Sequence, residues 1–332
     1  MIKLIASEQI LEKAYQWLVK QRSHYHFNAD IWQLRRNWAS HKLIIQRQLI
    51  AGKYRFRELR SIVKDGEHIL WWHSTDALVL KAISLVLTDH LSPYLSERCF
   101  HLSGGTKAAV REVAEHLPQH RYVFRTDVKS YYASIDHHIL MKILGLYVKD
   151  DLVLELVWGY LRCYISDGGK FISITKGISL GCPLSPLIGA LFLKPLDDRM
   201  AKLGCFYTRF MDDWVILTPS RWKLRKAIKA VNEVMFDLQI SQHPDKTFIG
   251  AIERGFDFLG YYFSNNGLSI ATKTIERMRT KVSRLYEQGA TQNCIETYLK
   301  RWWIWAKAGV TVYLSRFLDY LQSPTPLVGS GI

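Results

Sequence analysis

The sequence predicts an α+β fold followed by an all-α C-terminal segment. Three observations predict it: apolar, strand-like runs flank a pair of carboxylates, helical periodicity recurs in segments 75–91 and 224–238, and helices follow from 274 to 321. Apolar residues make up 48% of the 332 residues and charged residues 23%, proportions of a globular chain with a buried core. A chain of this length accommodates two or three domains.

The first strongly patterned element is the helix predicted at 75–91. Ten of its 17 residues are apolar and they are spread around the helix, which predicts burial on most faces. Ser74 or Thr75 is the expected N-cap, and Asp76 in the first turn favours the positive end of the helix dipole.

The remaining elements alternate strands with helices. The helix at 224–238 directs its basic residues outward, and the C-terminal helices are expected to break at Gly289 and Gly309. The segment after Leu321 is expected to be a short tail. Strand character is found at 121–128, at 207–217 as two short strands, and at 256–263.

The net charge predicts a polyanionic partner. The chain carries 45 Lys and Arg against 30 Asp and Glu, a formal charge of +15, and residues 1–60 alone carry 12 basic against 4 acidic side chains. Residues 271–310 carry 8 against 3. Such a field favours nucleic acid. A membrane partner is disfavoured, because no basic helix has a long apolar face and the uncharged run 177–193 is short and contains prolines.

The cysteines indicate a reducing compartment, the cytoplasm. They are odd in number, widely spaced and free of any zinc-ligand pattern, which argues against disulfides and a zinc site. They are Cys99, Cys163, Cys182, Cys205 and Cys294.

Three carboxylates form the strongest chemical constellation. Asp127 ends one apolar strand, and the pair Asp212-Asp213 lies 85 residues later at the tip of a predicted hairpin. Carboxylates that converge repel one another unless a divalent cation lies between them, and Mg²⁺ is the natural ion for phosphoryl transfer. Asp197-Asp198 lacks this strand context and is expected to be an ordinary turn or helix cap.

Five motifs in order resemble those of the reverse transcriptases, specifically the bacterial group II intron-like branch. Phe210-Met211-Asp212-Asp213 resembles the Tyr-x-Asp-Asp box, with Phe in place of the usual Tyr. The other four are similar to the first palm motif, the Gly-rich loop and helix, the lysine motif and the primer-grip hairpin. They lie at Arg125–Asp136, Gly177–Leu187, Pro244–Thr247 and Phe258–Tyr261.

The resemblance implies roles for the three carboxylates. Asp127 and Asp212 would hold two Mg²⁺ ions, for which Mn²⁺ is an expected substitute, with the Val128 carbonyl as a further ligand. Asp213 would be a secondary or structural carboxylate. Tyr132 would lie under the sugar of the incoming nucleotide and exclude a 2′-hydroxyl by its bulk.

The resemblance also implies nucleotide, primer and template contacts. Ser185, Pro186 and Lys246 would contact the nucleotide. The fingers hairpin at 58–70 lacks the expected Arg after its Gly turn, which leaves Arg60 and Lys64 as candidates. Phe258, Leu259 and Gly260 would form the primer grip. Thumb cations would track the template–primer duplex, whereas most of the neighbouring tryptophans are expected in the core. These cations are Arg277, Arg279, Lys281, Arg284, Lys300 and Arg301.

The implied architecture is a right-hand polymerase, with fingers and palm built from an antiparallel sheet packed with helices and with an all-α thumb. The fingers would span 1–120, the palm 121–265 with a finger-connecting segment near 140–175, the thumb 266–322 and a tail 323–332. The implied activity is RNA-directed DNA synthesis from a primer 3′-hydroxyl with dNTPs.

Two alternatives stay open. One is RNA synthesis or untemplated addition, and the other is a non-catalytic RNA-binding or splicing cofactor, against which the intact carboxylates count. Expected partners are an RNA template, a DNA or RNA primer, a structured element RNA and an accessory protein, within a retroelement or a domesticated or defence-associated bacterial system.

Overall fold

The computed structural model describes residues 1–64, 67–167 and 169–307, and the chain divides into two compact units. The first unit comprises Met1–Ser96, Val128–Asp198 and Glu233–Ser241. The second comprises Glu97–Asp127, Arg199–Asn232 and Gln242–Ile332.

Helices and short strands alternate along the described residues. In chain order the α-helices are α1 (Ile2–Ile5), α2 (Glu8–Gln21), α3 (Asp30–Arg36), α4 (Trp38–Ile50), α5 (Ser74–Leu91), α6 (Gly105–His116), α7 (Tyr131–Ser134), α8 (His137–Tyr147), α9 (Asp151–Leu161), α10 (Ser185–Phe192), α11 (Lys194–Leu203), α12 (Arg221–Asp237), α13 (Thr272–Glu287) and α14 (Gln292–Lys307). The strands are β1 (Leu59–Lys64), β2 (Glu67–Trp71), β3 (Tyr122–Thr126), β4 (Tyr164–Asp167), β5 (Lys170–Ser173), β6 (Phe206–Phe210), β7 (Asp213–Thr218), β8 (Phe248–Ala251), β9 (Phe256–Phe258), β10 (Tyr261–Ser264) and β11 (Gly267–Ile270).

The first unit contains a four-stranded sheet in the order β2-β1-β4-β5. Strand β1 pairs antiparallel with β2 and parallel with β4, where Leu59 lies opposite Ile165. Helix α5 is buried along most of its length, as predicted. Its N-cap is His73, not Ser74 or Thr75, because the His73 ring accepts a hydrogen bond from the Thr75 amide at 3.3 Å.

The second unit contains an antiparallel four-stranded sheet in the order β6-β7-β3-β8. Thr126 at the end of β3 lies opposite Trp214 near the start of β7, and Phe248 at the start of β8 lies opposite Arg125. Alternate side chains enter a core with α6, in which Val123, Val215 and Leu217 are fully buried. The register therefore brings the end of β3, the end of β6, the start of β7 and the start of β8 to one edge of the sheet.

A second, three-stranded sheet in the order β11-β10-β9 packs into the same core through Phe258, Tyr261 and Phe263. Helices α13 and α14 follow it and share a small core built on Ile275, Met278 and Ala306. The run of strand character at 256–263 is a hairpin, as the resemblance implies for Phe258–Tyr261, and Leu259 and Gly260 in its turn adopt positive φ angles of 48° and 87°.

Most other elements agree with the sequence pattern. Helix α12 begins three residues earlier than predicted, and a break at Gly289 separates α13 from α14, whereas Gly309 lies outside the described residues. Asp197 lies inside α11, in its first turn, so the dipeptide Asp197-Asp198 is neither a turn nor a cap. The fingers, palm and thumb boundaries remain predictions, and residues 128–198 group with the N-terminal residues.

Across the described ranges, none of the helices combines the length and the apolar composition that crossing a membrane requires.

Candidate active site

The sheet of the second unit positions two of the three predicted carboxylates directly. Asp127 immediately follows β3, and Asp213 is the first residue of the neighbouring strand β7. Asp212 lies in the two-residue turn between β6 and β7, where Met211 adopts a positive φ of 59°. The turn is held by Arg209, which donates from Nη1 to the Met211 carbonyl at 2.9 Å. The predicted convergence of the three residues at one sheet edge is therefore present.

Lys246 reaches the same edge from the segment that precedes β8. Its Nζ lies 2.5 Å from Asp127 Oδ2. The backbone around this pair is fixed, because the His243 amide donates to the Asp127 carbonyl at 2.8 Å and the hydroxyls of Thr126 and Thr247 lie 2.7 Å apart. Lys246 of the lysine motif and Asp127 are thus in direct contact, although they lie 119 residues apart in sequence.

The carboxyl of Asp212 resists ionisation. Burial is the largest cause, the negative charge of Asp127 adds to it, and together they raise the pKa of Asp212 to about 6. The cations Lys246 and Arg209 act in the opposite direction. Mutual repulsion between Asp127 and Asp212 is the electrostatic signature of carboxylates gathered to share a cation.

Asp213 is held by Arg125 instead. Arg125 Nε lies 3.6 Å from Asp213 Oδ1, and Arg125 also donates to the Lys246 carbonyl at 3.3 Å. Burial raises the pKa of Asp213 to about 7, which Arg125 opposes and the charges of Asp127 and Asp212 reinforce. This arrangement agrees with a secondary or structural carboxylate.

The donor set fits a divalent cation that uses few protein ligands. Among the residues the structure describes, no group of three His, Cys, Asp or Glu side chains forms a complete metal-binding set. Mg²⁺ needs no such set, because it takes one or two carboxylates and completes its shell with substrate phosphates and water. Asp127 and Asp212, with their mutually unfavourable charges, are the pair that such an ion would neutralise.

A groove of about 460 Å³ opens beside these residues within the second unit. Acidic and basic side chains line it together, which suits a metal–phosphate substrate better than a neutral ligand. One wall is the turn of the β9–β10 hairpin, with Leu259 and Gly260, and Trp305 from α14 lies beside it. The charged lining residues are Asp127, Asp213, Asp245, Asp257, Arg125, Lys246, Lys273 and Arg277.

Tyr132 belongs to the first unit, in the short helix α7. Helix α10 packs closely against its ring: a Cβ at Gly189 would lie 3.0 Å from Tyr132 Cε1. The neighbouring Tyr131 hydroxyl donates to the Gly189 carbonyl at 2.5 Å. The Tyr132 carbonyl accepts from the Ile178 amide at 2.8 Å, so the Gly-rich loop and the first palm motif are in contact. Val128, also in the first unit, is buried.

Ser185 and Pro186 start helix α10. Ser185 is fully buried, and its hydroxyl donates to the Ser179 carbonyl at 2.6 Å and lies 2.9 Å from the Tyr160 hydroxyl. The Ser185 side chain therefore holds the loop in place, and its predicted contact with a nucleotide is not supported by this geometry. Pro186 is partly exposed at the first turn, and its nucleotide contact stays a prediction.

The fingers candidates lie on strand β1. Arg60 is exposed and pairs in register with Trp71, and Lys64 ends the strand opposite Glu67. The predicted hairpin is therefore present, although its turn at 65–66 lies outside the described residues.

The primer-grip and thumb candidates are all in the second unit. Phe258 is fully buried, whereas Leu259 and Gly260 form the turn at the groove. Trp302 and Trp303 pack partly buried against the small core as predicted, but Trp305 is 37% exposed at the groove. Five of the six predicted cations are exposed and Arg279 is partly so; the exposed ones are Arg277, Lys281, Arg284, Lys300 and Arg301.

Three charged residues of this region were not predicted from sequence. Arg125 holds Asp213, the fully buried Arg209 holds the turn before Asp212, and Asp257 lines the groove with its pKa raised by burial. Both arginines interrupt otherwise apolar strands, in Tyr122–Thr126 and Phe206–Phe210. A charged residue inside a buried strand requires a partner, and that is the signal that identifies them.

Comparison with known proteins agrees with the fold. The family described as "Reverse transcriptase (RNA-dependent DNA polymerase)" matches residues 54–263. The group II intron-encoded protein LtrA of Lactococcus lactis is 22% identical over 167 residues, which cover 50% of this chain and 28% of LtrA. Protein YkfC of Escherichia coli K12 is 23% identical over 176 residues, covering 42% of this chain and 46% of YkfC.

A solved structure shares the fold. Apo telomerase from Candida tropicalis, truncated from the C-terminal domain, superposes with a TM-score of 0.51 at 12% identity, covering 65% of this chain and 55% of that one. The sheet and this likeness define the right-hand polymerase fold, of the α+β class, as predicted. Because the family match spans most of the chain, the protein belongs to the reverse transcriptase (RNA-dependent DNA polymerase) family. The chain spans less than half the length of the two curated relatives.

Proposed function

We propose that the protein is an RNA-directed DNA polymerase that extends a primer 3′-hydroxyl with dNTPs. The observation that carries the proposal is the meeting of Asp127, Asp212 and Lys246 at one sheet edge in a chain of the reverse transcriptase family. Two carboxylates and a lysine beside a groove match the charge pattern of a metal-bound triphosphate.

Asp127 and Asp212 would hold two Mg²⁺ ions, or Mn²⁺ in their place, with the Val128 carbonyl as a further ligand. When bound, such ions act as Lewis acids that favour the ionised 3′-hydroxyl and neutralise charge on the phosphates. Asp213 keeps its place through Arg125 and supports the site electrostatically.

Lys246 binds the triphosphate in this account. Without substrate its ammonium neutralises Asp127, and an incoming triphosphate offers it more negative charge. Pro186, Arg60 and Lys64 would add nucleotide contacts. Tyr132, whose ring is packed tightly by Gly189, would exclude the 2′-hydroxyl of a ribonucleotide.

The primer and the template would contact the second unit. The turn at Leu259 and Gly260, supported by the buried Phe258, would position the primer end at the groove. The exposed cations of α13 and α14, together with the partly exposed Arg279, would follow the duplex phosphates without reading sequence. The likeness to the group II intron-encoded protein LtrA favours a retroelement. A domesticated or defence-associated bacterial system is the other setting we propose, with a structured RNA and an accessory protein as further partners.

Primer extension on poly(rA)/oligo(dT) with Mg²⁺ tests the proposal. Extension with dTTP and not with UTP, dependent on the template strand, is the expected result. Extension with UTP, or without template, would replace it by RNA synthesis or untemplated addition. Tight RNA binding without extension would favour the non-catalytic cofactor.

A further inference from the structure

The first half of helix α12 concentrates positive charge on the second unit. Five of the nine residues from 221 to 229 are Lys or Arg, and no Asp or Glu occurs between 221 and 232. None of these cations belongs to the motifs that carry the proposed polymerase activity.

Most of these cations lie on one face of the helix. Arg221, Arg225 and Lys229 recur at i, i+4 and i+8 and are exposed, so they form one line along the helix. The opposite face is apolar and buried in the protein, with Leu224, Ala227, Ala230 and Val231. In the first half of this helix the apolar side is therefore buried and the charged side is exposed to solvent.

An exposed aromatic ring lies within the charged face. Trp222 is 68% exposed, and Lys226, one turn later, places its ammonium 5.4 Å from the Trp222 ring centroid. A large indole costs free energy when left in water. A flat ring among cations is the arrangement with which proteins bind single strands, because bases stack on the ring while cations contact phosphates.

This face is separate from the carboxylate edge. Strand β7 runs from Asp213 at that edge to Thr218, five residues along, which is roughly 17 Å for an antiparallel strand. Helix α12 starts after the far end, where Arg221 lies 5.8 Å from the ring of Tyr122, the residue paired with Thr218. The nucleotides bound on α12 are therefore not the nucleotides being copied at Asp127 and Asp212.

We propose that the face formed by Trp222, Arg225, Lys226 and Lys229, here called the α12 face, binds single-stranded nucleic acid outside the polymerase groove. Charge complementarity selects a polyanion. An anionic membrane fits less well, because an interfacial helix inserts an apolar face and the apolar face of α12 is buried. Duplexes fit less well, because their bases are not free to stack on Trp222.

The test measures binding of a fluorescein-labelled 20-nucleotide oligo(rU), without dNTPs, at several salt concentrations. Arg225→Gln/Lys229→Gln should weaken binding about tenfold at 100 mM salt. A plot of the logarithm of the association constant against the logarithm of the salt concentration should become less steep by about 1.4. Trp222→Ala should weaken binding roughly fivefold or more, with little change in slope. The matched control is Arg111→Gln/Lys202→Gln, which removes two exposed cations of the same unit.

Further arms separate the alternatives. Oligo(dU) should bind as tightly as oligo(rU), because phosphate contacts and base stacking do not require a 2′-hydroxyl. If the α12 variants lost binding of oligo(rU) but not of oligo(dU), the face would make a 2′-hydroxyl contact. Equal losses in the α12 variant and the control, or no loss in either, would overturn the proposal. So would an effect confined to duplex RNA or to phosphatidylserine vesicles. Primer extension on a short template should be unchanged in the α12 variants. Asp212→Asn should bind oligo(rU) as tightly as wild type. The two results together distinguish a failure of the polymerase proposal from a failure of the α12 proposal.

Discussion

Lys246 Nζ contacts Asp127 Oδ2 at 2.5 Å, which joins a lysine expected at the triphosphate to a carboxylate expected at the metal. The proposed triphosphate ligand and the proposed metal ligand therefore form one ion pair with each other. Because a metal and a triphosphate would each take one partner of this pair, they bind more favourably together than singly.

Replacing Lys246 by Met should therefore have two opposite effects. The KM for dTTP should rise about tenfold or more, since a charged hydrogen bond to the triphosphate is lost. Without nucleotide, Mg²⁺ should bind Asp127 more tightly, because no ammonium competes for the carboxylate. Steady-state extension and calorimetric Mg²⁺ titration measure the two effects. Lys273→Met is the control: Lys273 lines the same groove but acts on Asp257. Identical behaviour of the two variants would contradict a specific role for Lys246.

Tyr132 should decide which sugar is accepted. Tyr132→Ala should raise the efficiency of UTP relative to dTTP roughly tenfold or more, because the bulk that excludes the 2′-hydroxyl is removed. Gly189→Ala should lower discrimination less, since its Cβ would lie 3.0 Å from the Tyr132 ring and displace it. Tyr131→Phe, which loses only the hydroxyl bonded to the Gly189 carbonyl, should keep the wild-type ratio. Competition between UTP and dTTP in single-turnover extension reads these ratios, and an unchanged ratio in Tyr132→Ala would exclude the steric account.

Lys107 should make the stability of the fold depend on pH. Its ammonium contacts the Tyr261 hydroxyl and lies 4.3 Å from the centroid of the Trp305 ring, and burial lowers its pKa from 10.5 to about 8. Between these values the unfolded chain keeps a proton that the folded chain has released, so stability rises with pH across this window. Wild type should gain stability relative to Lys107→Met from pH 8 to 10. Urea unfolding at each pH measures the difference, and a constant or shrinking difference would contradict the lowered pKa.

Gly255 should be irreplaceable in the turn before β9. Its backbone, at φ 70° and ψ 157°, lies in a region that essentially only glycine adopts, and an added Cβ would lie 1.9 Å from the Tyr262 hydroxyl. Gly255→Ala should cost about 1–3 kcal/mol in strain and a similar amount in overpacking. Gly289→Ala, at φ 72° with open space around it, should cost only about 1–2 kcal/mol. Equal unfolding midpoints for the two variants would refute the clash with Tyr262.

The sequence predicts the carboxylate edge because local patterns encode it. Asp127 follows the apolar strand β3, and Asp212 lies in the turn between the apolar strands β6 and β7. Antiparallel pairing of β3 with β7 places the end of β3 beside the start of β7, and so brings Asp127 to that turn. The ion pair of Lys246 with Asp127 follows only from the register of β8, which no local pattern encodes. The hydroxyl of Ser185 is likewise fixed by a partner, Tyr160, that lies 25 residues away.

Strands β4 and β5 were missed although their signal is local. Asp167 and two glycines separate two alternating runs, a frequent hairpin pattern. The parallel pairing of β4 with β1, in which Leu59 lies opposite Ile165, depends on everything folded between them and has no such signal. Contacts that depend on pairing between distant segments are thus the features that the sequence pattern does not predict.

The most direct test of the account compares two Asp-to-Asn substitutions in single-nucleotide incorporation on an RNA template. Asp212→Asn removes a carboxylate of the candidate metal pair, whereas Asp198→Asn removes the exposed partner of Lys194 on α11. We expect Asp212→Asn to lose incorporation by about a thousandfold or more while keeping its fold and RNA binding, and Asp198→Asn to retain wild-type incorporation. Substantial incorporation by folded Asp212→Asn would contradict this expectation.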